Sequence, residues 1–188
     1  MTVSPDLDRR FRAAAAATGL LDVAYDLAET PVGELLVAAT PRGLCRISFR
    51  GEADVERLAE LFGVRVLRSP RPLDGTRRQL DEYFEGRRTD FDLELDLDVP
   101  DFYRQVLGEL ARVPYGETTT YGTLAKRVDR PAAARAVGTV MNRNPIPIVL
   151  PCHRVVGANG SLVGYGGGLD RKRQLLTLEG ALTLQLDA

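Results

Sequence analysis

Val99-Pro100-Asp101 marks a boundary that divides the chain into a mixed strand-and-helix half and a mainly helical half. Before this point apolar residues mostly alternate. From Val23 to Phe49 they read as strands, with turns at Pro31-Val32-Gly33 and Pro41-Arg42-Gly43. Period-two alternation puts Cys45, Ile47 and Phe49 on one face, which makes Cys45 a small core hydrophobe. Residues 51–63 carry Val55, Leu58, Leu61 and Phe62 at helical spacing and stop at Gly63. A strand over Val64–Leu67, a helix over 73–86 and an edge strand over Asp92–Leu97 complete this half. After the boundary, Asp101 is the expected N-cap of a helix over Phe102–Val113. Thr119–Val128 and Ala132–Met141 then predict two short helices joined by Asp129-Arg130-Pro131, the outline of a helix-turn-helix. The expected division is an N-terminal extension (1–20), a mixed α/β domain (21–98) and a mainly helical domain (99–188).

Charge follows the same division. Residues 1–100 hold 14 Arg against 19 Asp and Glu, a net of −5 (14 − 19), whereas residues 101–188 hold 11 Lys and Arg against 7 acids, a net of +4 (11 − 7). A polyanion would therefore meet the second half. No apolar run approaches the length of about 18 residues that suggests a membrane span, and the charged N-terminal stretch does not read as a secretory signal. The expected location is the cytoplasm. Two cysteines make no disulfide framework, and with one histidine they cannot complete a four-ligand zinc site. No metal and no cofactor are expected.

That scarcity directs attention to Cys152, because the only histidine, His153, stands beside it. The apolar run Ile146, Ile148, Val149, Leu150 delivers Pro151-Cys152-His153-Arg154 to a loop. A thiolate is the nucleophilic form of cysteine, and His153 and Arg154 offer a base and a cation nearby. Taken alone, Cys-His-Arg is a weak signal. Its surroundings are specific: PCHRV preceded by NPxP and followed by GYGGG, Lys172, Leu175-Leu176 and Glu179-Gly180 closely resembles the O6-alkylguanine-DNA alkyltransferases. The agreement runs from about Asp101 to Gly180, while the front half matches in length and strand–helix layout.

The resemblance implies a ribonuclease-H-like mixed α/β front domain and a helical, winged-helix-like back domain. It implies that Cys152 accepts an alkyl group, that His153 is its base through a water, and that Glu179 orients His153. Tyr121 would assist base extrusion and give a proton to the departing guanine, and Asn144 would brace the turn before Cys152. Arg135 would fill the gap left by a flipped base, with Ala134 beside it in the groove. Val155, Tyr165, Gly166 and Gly167 would line the guanine pocket. Pro147 would either offer a rigid apolar wall to the alkyl group or only stiffen the turn. The implied partner is double-stranded DNA bearing alkylated guanine, met by a monomer. A cysteine hydrolase is the rival enzyme. A lesion sensor that flips bases without repairing them is the rival binding protein, and the presence of Cys152 argues against it.

Overall fold

The computed structural model describes Ala14, residues 22–63 and residues 65–182. The expected extension over 1–20 therefore lies outside the described residues except at Ala14. Cα proximity divides the chain into two units, one running to Glu85 and taking in Asp92–Asp96, the other comprising Gly86–Phe91 and the chain from Leu97.

The first unit is a four-stranded sheet of order β3-β2-β1-β4, formed by β1 (Val23–Ala28), β2 (Leu35–Thr40), β3 (Gly43–Ser48) and β4 (Val66–Arg68). β1 and β2 pair antiparallel, as do β2 and β3, and β4 joins β1 in parallel. A parallel partner needs a crossover, supplied by α1 (Val55–Phe62). Val23, Leu36, Ala38, Cys45 and Leu58 form one buried cluster, so Cys45 is a core residue. Leu35, Leu36, Val37 and Ala38 are all buried, the composition of a central strand covered on both faces.

Three expectations for this unit change. The strand expected over Val64–Leu67 is β4, at Val66–Arg68, with Val64 outside the described residues. Residues 51–54 are a 3-10 turn before α1, so the helix begins four residues later than the periodicity suggests. The DLELDL segment is not a strand. It makes a single bridge, with Leu44 N donating to Glu94 O and Asp96 N donating to Leu44 O, each at 2.9 Å. The segment approaches closely at Gly43, where an added Cβ would lie 2.4 Å from Glu94 O, and φ is +142°. Only glycine fits there. The helix expected over 73–86 is α2 (Asp74–Phe84).

The second unit holds α3 (Asp101–Ala111), β5 (Thr119–Thr120), α4 (Tyr121–Arg127), α5 (Ala134–Asn142), β6 (Val155–Val156) and α6 (Leu169–Leu178). Asp101 is the first residue of α3 rather than its cap, with Pro100 in the cap position. Thr119-Thr120, expected as helix, is instead a short strand parallel to β6, pairing Thr119 with Val155 and Thr120 with Val156. Thr120 then caps α4: its extended backbone leaves Oγ1 free to accept from Thr123 N at 3.1 Å. α4, a turn in which Asp129 has φ +56°, and α5 make the helix-turn-helix. Val106, Leu107 and Leu110 of α3, Leu124 of α4 and Val137 and Val140 of α5 are buried, each helix turning one apolar stripe inward. Among the described residues no helix is long and apolar enough to cross a membrane.

Candidate active site

The segment between α5 and β6 is a strained turn that presents Cys152. Ile148 is a β-branched residue at φ +76°, a conformation costing on the order of 1–3 kcal/mol. Asn144 holds it there. Its Oδ1 accepts from Ile146 N at 3.0 Å, and its Nδ2 donates to Leu150 O at 2.7 Å. Leu150 N donates to Ile146 O and Cys152 N to Leu150 O, at 2.9 and 2.8 Å. Pro147 is buried inside this turn and bridges Leu150. Cys152, His153 and Arg154 then form a 3-10 turn rather than an open loop, and all three are buried. Extended backbone would have sent adjacent side chains to opposite faces; the turn relaxes that restriction.

His153 has no exposed surface, and its Nε2 lies 2.8 Å from Glu179 Oε1. Arg154 clamps the same carboxylate, with Nε donating to Oε2 and Nη2 to Oε1, each at 2.9 Å. Its Nη1 donates to Val113 O, and its guanidinium lies over the Tyr115 ring, 5.8 Å from the centroid. Tyr115 in turn donates to Leu178 O at 3.0 Å. Glu179, which terminates α6, is thus buried against these two side chains, and its Oε2 also accepts from Gly116 N at 3.5 Å. Those hydrogen bonds and the Arg154 charge outweigh the burial that would raise its carboxyl, holding it down at about 2. An ionised carboxylate can only accept, so the imidazole proton resides on Nε2. Nδ1 then carries the lone pair, and it is buried with no hydrogen-bond partner among the described residues. Burial pushes the His153 pKa below its ordinary value, against the pull of Glu179, which keeps the ring neutral and basic at Nδ1.

Cys152 is only 4% exposed, and burial pushes its thiol up to about 11. The hydrogen bond from Asn144 and the charge of Lys172 pull the other way without overcoming it. Arg154, expected to supply the cation beside the thiol, is committed to Glu179; the cation acting on the thiol is Lys172. Lys172 is fully buried, and its Nζ donates to Val155 O at 2.6 Å and Val163 O at 2.7 Å. Its position was readable: Lys172 precedes Leu175 and Leu176 by three and four residues, on the buried stripe of α6. Burial therefore favours the protonated thiol.

Tyr121 opens α4. Its hydroxyl donates to Val163 O at 3.2 Å, and burial and the nearby Cys152 raise its pKa. A Cβ on Gly138 would meet its ring at 3.9 Å, an ordinary contact, so α5 lies directly beside the Tyr121 ring. Arg135 is exposed near the start of α5, and its guanidinium makes no hydrogen bond or ion pair with any described residue. Ala134, half-buried, precedes it. Val155 and Gly167 are buried, Tyr165 is half-buried and Gly166 is exposed. Among the described residues no cluster of three His, Cys, Asp or Glu could hold a metal ion.

Residues 101–181 match the model of the 6-O-methylguanine DNA methyltransferase DNA binding domain, and residues 23–97 match that of the ribonuclease-like domain of the same proteins. A methylated-DNA–protein-cysteine methyltransferase of Mycolicibacterium paratuberculosis is 44% identical over 157 residues, which cover 84% of this chain and 92% of that protein. One from Methanosarcina acetivorans is 42% identical over 158 residues, covering 84% and 98%. The crystal structure of Mycobacterium tuberculosis OGT in complex with DNA superposes with a TM-score of 0.75 at 41% identity, covering 84% of this chain and 93% of that one.

Proposed function

The chain belongs to the methylated-DNA–protein-cysteine methyltransferase family, and on that premise we propose that it repairs alkylated DNA by irreversible transfer of the alkyl group from O6-alkylguanine to Cys152. The observation that carries this reading is the chain Glu179–His153–Cys152: an ionised orienter, a neutral base with its lone pair on Nδ1, and a buried thiol in the adjacent residue. It is the nucleophile–base–orienter arrangement of covalent catalysis.

His153 Nδ1 takes the Cys152 proton through a water. The sulfur attacks the alkyl carbon, a C–S bond forms and the C–O6 bond breaks. The electron pair passes to the guanine ring, which gains a proton from Tyr121, and the proton taken by His153 returns to the Tyr121 phenolate through solvent. Restored guanine and an S-alkylcysteine are the products. A thioether has no easy leaving group, so each molecule acts once. Lys172 stabilises the thiolate while it exists. For Tyr121 to protonate guanine it must first release Val163 O.

A guanine stacked in a duplex cannot reach a thiol that is 4% exposed, so the base must be extruded at a cost of a few kcal/mol. The exposed, uncommitted guanidinium of Arg135 suits the gap left behind, and Ala134 keeps α5 slim for the minor groove. Val155, Tyr165, Gly166 and Gly167 would receive the base, with Pro147 stiffening the turn beneath it. The protein would act as a cytoplasmic monomer.

Incubation with DNA carrying an O6-methyl label is expected to add one methyl group per protein, on the peptide containing Cys152. Labelled methanol with unmodified protein would instead indicate a hydrolase. Arg135→Ala is expected to slow repair of a duplex lesion far more than reaction with free O6-methylguanine, because a free base needs no extrusion. Equal slowing in single-turnover rates on the two substrates would assign Arg135 to the fold or the pocket.

A further inference from the structure

Nothing in the alkyl-transfer chemistry uses the turn that follows β6. Gly160 N donates to Gly157 O and Gly157 N to Ser161 O, each at 2.9 Å, which closes residues 157–161 on themselves. Gly160 has φ +79°, and an added Cβ there would meet nothing within 4 Å, so conformation rather than crowding calls for glycine. Asn159, Gly160 and Ser161 are all exposed. Of the chain's three asparagines only Asn159 precedes a glycine: Asn142 precedes Arg143, and Asn144 precedes Pro145, which has no N–H.

The side-chain amide of Asn159 is held by two donors. Its Oδ1 accepts from Ser161 N at 3.2 Å and from Ser161 Oγ at 2.6 Å. A side chain bonded to the backbone two residues on lies beside the intervening peptide, here that of Gly160. The same two bonds draw electrons from the amide carbon, as the donors of an oxyanion hole do for a carbonyl under attack. The nucleophile next to that carbon is the Gly160 nitrogen, which no side chain shields.

We propose that Asn159 is a site of spontaneous modification, where the paired Ser161 donors promote deamidation to aspartate and isoaspartate. The hydrogen bond from Gly160 N to Gly157 O opens first, as an exposed turn allows. The Gly160 nitrogen then attacks Asn159 Cγ and a C–N bond forms. The Cγ–Nδ2 bond breaks, and Nδ2 leaves as ammonia with the Gly160 proton. Water opens the resulting cyclic succinimide at either carbonyl. Cleavage at Cγ gives aspartate, and cleavage at the backbone carbonyl gives isoaspartate, with one more methylene in the main chain. Water is taken up and ammonia lost, with nothing oxidised or reduced.

The turn joins two carbonyls that Lys172 clamps, Val155 O at 2.6 Å and Val163 O at 2.7 Å. Val163 O also accepts from Tyr121. A main chain lengthened at position 159 changes the loop length that sets Gly157 against Ser161, and so displaces Val163 from Lys172 and Tyr121. The isoaspartate form is therefore the slower to repair. That consequence rests on the alkyl-transfer reading, whereas the modification does not.

The test ages the protein, kept reduced, for days in mildly alkaline buffer and reads its tryptic peptides by mass beside a synthetic peptide of residues 155–171. In the folded protein the peptide 155–171 is expected to exchange NH for O and to become a substrate for isoaspartyl methylation. The peptides holding Asn142 and Asn144 should not change. Ser161→Ala should slow conversion several-fold in the folded protein. Asn159→Ser should not convert, and it should keep its single-turnover repair rate through ageing while the parent's rate falls with the isoaspartate fraction. A folded protein left intact while the synthetic peptide converts would overturn the proposal, because the turn would then protect Asn159. Conversion of Ser161→Ala at the parent's speed would overturn the role of the donors, and isoaspartate protein repairing at the fresh rate would overturn the displacement of Val163. Fresh parent protein that transfers no alkyl group would count against the alkyl-transfer reading alone, since conversion is read by mass.

Discussion

Cys152→Ala is expected to abolish alkyl transfer completely while leaving affinity for DNA within a few-fold of the parent protein. The loss is total because the thiol is itself the acceptor, and no other group can substitute. Cys45, the second cysteine, belongs to the sheet core of the first unit, with a thiol pushed up to about 12 by burial and a bond to Ala38 O at 3.3 Å. It is too inert and too enclosed to take over. Binding should survive because Arg135 and the helix-turn-helix do not rely on the thiol, and alanine at a site 4% exposed removes one sulfur from the turn. The variant should therefore trap lesion-bearing DNA without releasing it repaired. Single-turnover transfer assays beside equilibrium binding on the same duplex decide the matter. Residual transfer in Cys152→Ala, lost on adding Cys45→Ala, would move the acceptor role to Cys45. Loss of binding in Cys152→Ala would show that the thiol also supports the DNA-facing surface.

The general plan was legible because two periods stand side by side in the sequence. Alternation over 23–49 specified three strands, and the helical stripes after Pro100 specified α3, α4 and α5. The sequence misled where local pattern met tertiary demand. DLELDL alternates as a strand should, yet makes only one bridge, to the backbone at Leu44. Thr119-Thr120 continues a helical stripe but pairs with β6, and Thr120 spends its hydroxyl capping the next helix. In the candidate site, Cys152, His153 and Glu179 were readable from motif and register. Arg154 was not, because adjacency to Cys152 suggests a cation for the thiol, whereas the 3-10 turn sends it to Glu179. Ile148 was not readable either. Nothing in the residue type signals positive φ, and only the Asn144 bridge across the turn explains it.

The role of Arg154 sets the second large effect. Glu179→Gln should destabilise the protein by about 3–5 kcal/mol, the usual cost of removing one member of a buried ion pair. Arg154 is 5% exposed and would keep its charge with no carboxylate to receive it, while His153 and Arg154 would be left with one neutral amide oxygen for three donors, and an amide NH2 turned to the ring would force His153 to its other tautomer. Alkyl transfer should fall in the molecules that remain folded, because Nδ1 would no longer be reserved as the base. The parent protein should also show a specific acid sensitivity. The Glu179 carboxyl is held at about 2 in the fold against an ordinary 4.5, so its ionised form contributes stability fully above pH 4.5 and loses that contribution as pH falls towards 2. His153 acts in the same direction from a higher pH. Its pKa is depressed in the fold, so below its ordinary 6.5 the unfolded chain gains a proton that the folded chain resists. Chemical denaturation followed across this range should show stability declining first below about pH 6.5 and more steeply below 4.5. In Glu179→Gln the steep lower part should be much reduced. A variant as acid-sensitive as the parent between pH 4.5 and 2 would place the responsible carboxylate elsewhere. A variant within about 1 kcal/mol of the parent near neutral pH would mean that Arg154 finds water when Glu179 is gone, and that the buried pair is not what holds the end of α6 in place.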